Sequence, residues 1–127
     1  MPANISAHQE NHYLPIKASG IIESLEELKD FSTALYAEGI KYDTRNVVID
    51  EMQLQLTTSV VHQCELINFY SESLPPQIKQ YKIAVAVDPK YRELAEFWEL
   101  YGSNRGYPWK GFTSLENALD WIEQVKD

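Results

Sequence analysis

The residues of this chain that could do chemistry are rarely spaced to do it together. Asp50 and Glu51 follow the apolar run Arg45-Asn46-Val47-Val48-Ile49, so they stand where parallel α/β sheets present ligand-binding side chains, at a strand's carboxyl end. Adjacent strand residues point to opposite faces, however, and a hydrolytic carboxylate pair must share one cleft. A receiver-type phosphoacceptor needs further acids after an earlier strand, and Lys17-Ala18-Ser19-Gly20 supplies none. Asp50 is therefore kept as a candidate ligand-binding residue at a solvated strand end. His8 and His12 are four apart with no third ligand nearby. That spacing holds a metal on a helix and need not do so across a hairpin turn. Cys64 is the only cysteine, which excludes a disulfide framework and a thiolate metal cage. With no nucleophile–base pair to assign, the chain reads as a non-enzyme without metal or cofactor.

Three further groups bear on binding. Asn104-Arg105-Gly106 is a loop whose guanidinium fork can grip a carboxylate or phosphate, or can simply pair with one of the 19 acids. Tyr107 and Trp109 flank Pro108 on a short edge-like strand and are expected to be exposed, as anchors of a protein contact, including a homodimer; the alternative is that they roof the core. Thr57, Thr58 and Ser59 precede a helix. They either cap it or offer a hydroxyl where a phosphate would meet free N–H groups and a favourable dipole.

Composition narrows the classes. At 127 residues the chain is expected to form one domain, 1–127, burying roughly two-thirds of its unfolded surface. A formal charge of −8 and a pI near 4.8 make phosphate backbones and anionic bilayers poor partners. The start, Met-Pro-Ala-Asn-Ile-Ser, lacks the basic and apolar regions of a signal peptide. No apolar run approaches the roughly 20 residues of a membrane span, so a cytoplasmic location is expected, without membrane insertion.

The elements that position these groups follow from periodicity. Ile5 to Ala18 reads as a β-hairpin turning near Glu10-Asn11, with Pro15 at an edge-facing or irregular position. Ser24-Leu25-Glu26-Glu27 is a capping box, and Leu25, Leu28, Phe31 and Leu35 mark a helix that Gly39 should stop. Residues 45–50 read as a short strand, and Met52, Leu54 and Leu56 alternate with Gln53 and Gln55 in a separate extended piece. A helix follows to Tyr70, with Val60, Cys64, Ile67 and Tyr70 on its main face; Val61, Leu66 and Phe69 widen that face beyond one stripe, so it is buried or meets a partner. Tyr81 to Val87 is apolar at successive positions, as in a central strand covered on both sides. Asp88-Pro89 opens a helix through Tyr91, Leu94, Trp98 and Tyr101, which Gly102 should cap. Residues 107–112 form the edge strand, and Thr113-x-x-Glu116 caps a last helix carrying Leu115, Ala118, Ile122 and Val125. The order β-β-α-β-α-β-α-β-α implies a mostly parallel sheet of four to five strands with an N-terminal β-hairpin and about four helices on both faces.

Val47-Val48-Ile49-Asp50, then hydroxyl residues opening a helix, resembles the middle of an anti-sigma-factor-antagonist (SpoIIAA-like, STAS) domain. Ile83-Ala84-Val85-Ala86-Val87-Asp88-Pro89, Phe97, Asn104-Arg105-Gly106, Phe112 and Ala118-x-x-Trp121-Ile122 are similar to small bacterial STAS/SEC14-like proteins of SpoIIAA-like fold. The resemblance spans nearly the whole chain and implies a SpoIIAA-like α/β fold and a non-catalytic regulatory or protein-interaction role. Its SEC14-like side implies the alternative, a carrier or sensor of a small lipid or acidic metabolite, with an apolar pocket and Arg105 at its mouth. Phosphorylatable antagonists open the helix with an Asp-Ser-Ser-Gly-type motif. Here Thr58 replaces the aspartate and Val60 one serine, leaving Ser59 as the hydroxyl in register. The expected contact surface is Thr57, Thr58, Ser59 and Val61 with the broad helix behind them.

Overall fold

Along residues 83–87, Ile83, Val85 and Val87 alternate with Ala84 and Ala86, so both faces of this strand shun water. The computed structural model, which describes residues 3–7, 13–42, 44–57, 59–74 and 76–124, puts it inside a five-stranded sheet ordered β1-β2-β3-β4-β5. The strands are β1 (Asn4–Ala7), β2 (Leu14–Ile22), β3 (Asn46–Leu56), β4 (Lys82–Val87) and β5 (Trp109–Phe112). β2 to β5 run parallel, and β1 pairs antiparallel with β2 as the N-terminal hairpin. The hairpin turn, His8, His12 and Thr58 lie outside the described residues. The helices are α1 (Leu25–Lys41), α2 (Val60–Ser73), α3 (Arg92–Ser103) and α4 (Leu115–Glu123). Each crossover from β2 to β5 advances one strand in the same direction. Right-handed connections therefore stack α1, α2 and α3 on one face, and α4 folds back onto the other.

α1, α2 and α4 start at serine caps, whereas Asp88 caps a 3₁₀ turn (Pro89–Tyr91) that leads into α3 without a side-chain cap, and two expected stops do not end their helices. Ser24 accepts from the Glu27 N–H at 3.1 Å, while Glu27 reaches back to the Glu23 N–H at 2.7 Å, one residue earlier than the expected box. α4 is capped by Ser114, which accepts from the Asn117 N–H at 3.3 Å, and not by Thr113. α1 runs past Gly39 to Lys41, and α3 past Gly102 to Ser103. Gly102 is a close-approach residue: a Cβ there would lie 2.3 Å from Cε3 of Trp109. The turn after α3 uses Gly106, at φ 89°, in the left-handed region that glycine adopts freely.

The run 45–56, expected as two pieces, is one central strand with a break in register. Lys17 pairs with Asp50 and Ser19 with Gln53, so two residues of β3 oppose Ala18 alone. This bulge inverts the strand's parity. Val47, Ile49 and Glu51 face the three-helix side before it; Leu54 and Leu56 face that side after it. Val48 and Met52 lie on the opposite side, against α4.

Candidate functional site

Between the sheet and α1, α2 and α3 lies a cavity of about 110 Å³. Its walls are mostly aliphatic and aromatic: Ile49, Val85 and Val87 from the sheet, Leu28, Phe31 and Leu35 from α1, Leu66 and Tyr70 from α2, Trp98 from α3 and Trp109 from β5. Among the described residues Glu51 is the one carboxyl that lines it, and no lysine, arginine or histidine does. Ser32, Gln63 and the tyrosines add uncharged polar atoms.

Glu51 is paired with Val87, the last residue of β4, and is held at the bulge. Half-buried, it accepts no hydrogen bond among the described residues. Burial, then repulsion from Asp50, pushes its carboxyl from 4.5 to about 8. At neutral pH the group is therefore largely protonated. Burial also raises the Tyr70 phenol, with the Ser32 hydroxyl opposing the shift and Glu51 adding to it.

Its neighbour Asp50 points the other way, as alternation requires, and does not lie in an end-of-strand loop. β3 continues six residues beyond it, and its Oδ1 accepts from the Met52 N–H at 3.1 Å, which fastens the bulge. The acid on the inner face, Glu51, is the one that the sequence reading did not select. The signal was the pair itself: of two adjacent acids on a two-faced strand, one must point inward.

The aromatic residues expected at the surface are buried, which corrects that expectation: Tyr107 is 2% and Trp109 3% exposed. Trp109 stacks on Trp98 (centroids 4.7 Å apart, planes 4° apart) and on Tyr107 (4.3 Å, 14°), and meets Tyr70 edge-on at 5.4 Å. Tyr107 shares a hydrogen bond with Ser71 at 3.1 Å. An edge strand exposes its backbone border, but its faces can still be roofed, here by α2 and α3. The buried Trp109 Nε1 has no hydrogen-bond partner among the described residues.

Arg105 is not at the mouth of the cavity. Its guanidinium lies 3.4 Å from the Tyr101 ring centroid, and Nη1 donates to the Tyr101 carbonyl at 3.3 Å. It thereby closes the end of α3, with Asn104 as the exposed C-cap residue beside it. Neither residue meets Asp50 or the cavity.

At the start of α2, Ser59 is the N-cap and is exposed. Its Oγ accepts from the His62 N–H at 3.4 Å, while His62 Nδ1 accepts from the Ser59 N–H at 3.2 Å. The imidazole thus takes the part that glutamate plays in the usual box, which composition alone does not suggest. Thr57 closes the sheet instead: its N–H and hydroxyl both donate to the Ile22 carbonyl, at 3.0 and 3.2 Å. Val61, 63% exposed, projects outward, whereas Leu66 and Ile67 are buried. The broad apolar face of α2 is thus spent mainly on the core, with Val61 left outside.

No protein-family model and no curated protein matches this sequence. Solved structures do. An anti-sigma factor antagonist from Mycobacterium paratuberculosis is 18% identical over 95% of this chain and 94% of its own, with a TM-score of 0.57. An uncharacterized DUF3478-family protein with a SpoIIAA-like fold from Shewanella loihica PV-4 is 21% identical over 94% of this chain and 93% of its own, with a TM-score of 0.52. The chain has the SpoIIAA-like fold.

Proposed function

We propose that this protein is a non-catalytic regulatory module of the STAS type, acting by contact with another protein through the start of α2. The observation that carries this reading is the position of Val61, a large apolar side chain 63% exposed, two residues beyond the exposed Ser59 cap. The fold shared with an anti-sigma factor antagonist supports it. Phosphate on Ser59 would sit at an open helix N-terminus beside His62, so the same corner suits a switch. The test is a pull-down from the protein's own host with wild type, Ser59→Asp and Val61→Glu. Loss of a partner in either variant supports this surface; identical partners in all three remove it. Self-association is tested by light scattering, where a monomer at micromolar concentration excludes the homodimer.

A second reading, a carrier or sensor of a small molecule, is favoured by the cavity. Its volume, about 110 Å³, is far below the roughly 300 Å³ or more of a drug-sized pocket, so the occupant is much smaller than a lipid. An acidic metabolite would meet Glu51 with no cation to receive it. Native mass spectrometry of protein from its own host reads bound mass directly.

A further inference from the structure

We propose that the cavity is a binding site for a small primary amine, its ammonium group against the Glu51 carboxylate and its apolar body among the surrounding aromatic side chains. This rests on the second reading above and gives it a ligand class.

The lining has one acid and, among the described residues, no base. The half-buried Glu51 carboxyl makes no side-chain hydrogen bond among the described residues, so its oxygens are open to a donor on a guest. An ammonium supplies both the countercharge and N–H donors. Tyr70, Tyr91, Trp98 and Trp109 also line the space, and aromatic faces attract cations. An anion finds the opposite conditions here, and the chain's net charge of −8 repels it further. Size limits the choice. An apolar cavity of about 150 Å³ holds benzene, with its six non-hydrogen atoms, so about 110 Å³ holds roughly four or five.

The proton balance distinguishes an amine from an uncharged guest. At pH 7 the free carboxyl is mostly protonated, and the amine arrives as an ammonium. Forming the ion pair releases the Glu51 proton to solvent; a guest alcohol only shares it. The other titratable groups lining the cavity are the phenols of Tyr36 on α1, Tyr70 on α2, Tyr81 before β4 and Tyr91 before α3, with Asp50 on the opposite face of β3.

The experiment is calorimetric titration of the full chain at pH 7, in two buffers of different ionisation enthalpy, with isobutylamine, isobutyl alcohol and propionate, each of five non-hydrogen atoms. The amine is expected to bind about tenfold tighter than the alcohol and to release close to one proton, with propionate weakest. Glu51→Gln is expected to abolish the amine's advantage and the proton release, leaving the alcohol's affinity within about threefold. If the alcohol or propionate binds as tightly as the amine, or Glu51→Gln leaves amine binding unchanged, the amine inference falls while the cavity remains a binding site. If none of the three binds, the reading of the cavity as a ligand site falls with it.

Discussion

The two faces of the sheet are built from alternate residues of the same strands, yet they pack in opposite ways. Toward α4, β3 and β4 present Val48, Ala84 and Ala86, and the helix returns Ala118 and Ile122; all five are at most 2% exposed. Small side chains let one helix lie close. Toward α1, α2 and α3, the same strands present Ile49, Glu51, Val85 and Val87, and the helices stand over a cavity faced by Trp98 and Trp109. Interiors are normally filled to crystal-like density, so a void beside an unpaired acid forfeits contacts that a better-filled core would make. The closely packed face behaves as scaffold, and the other holds the space in which the proposed amine would sit.

The largest perturbation of this contrast is Trp109→Ala, which removes the ring between Trp98, Tyr107 and Tyr70 and enlarges the void. Denaturant unfolding followed by circular dichroism should show a loss of about 3–5 kcal/mol. Glu51→Gln should act in the other direction. Because the folded carboxyl titrates near 8 and the unfolded one near 4.5, the native state holds the extra proton between those values. Wild-type stability is thus highest below pH 4.5 on this group's account, falls from 4.5 to 8 and is flat above. The variant should gain roughly 3 kcal/mol at pH 8–9 and nearly nothing at pH 4, read from urea midpoints at both pH values. A pair of one-position enlargements then compares the faces directly. Ala86→Val, against α4, should cost about 1–3 kcal/mol by overpacking. Val85→Ile, its neighbour facing the cavity, should stay within about 0.5 kcal/mol of wild type or gain stability. Equal losses for the two would remove the distinction between the faces. Among the destabilising variants the smallest loss belongs to Ser59→Ala, about 1 kcal/mol of thermal or denaturant stability, since His62 keeps its half of the cap.

Much of this architecture is legible in the residues, because each segment's period matches its burial. β4 reads as two-faced because both of its alternating sets are apolar, and Ser24 and Ser59 mark helix starts because their oxygens satisfy free N–H groups. The misreadings have one source: a residue type serves different ends in different surroundings. Gly39 and Gly102 suggest helix stops, but Gly39 lies inside α1 with room for a Cβ, and Gly102 lacks one because the Trp109 ring lies against it. Residues 45–56 look like two pieces because the bulge shifts the alternation by one, and no local signal separates a shifted strand from a broken one. Glu51 keeps the parity of Val47 and Ile49, and what its sequence neighbourhood does not reveal is the cavity that its face of the sheet lines. Trp109 looks like an edge residue, and it is one along the backbone; only the packed helices show that its ring lies inside.

The border of the sheet beyond β5 has a consequence for assembly. The Pro108 carbonyl faces β4, so by alternation the Gly111 N–H points away from it, and Glu99 of α3 takes that N–H at 3.0 Å while its other oxygen meets Lys110 at 3.4 Å. A donor already engaged by a charged side chain is not offered to an incoming chain. Sheet extension from one molecule to the next is thereby disfavoured at this margin, where the Trp109 N–H is likewise engaged, by the Tyr107 carbonyl at 3.0 Å.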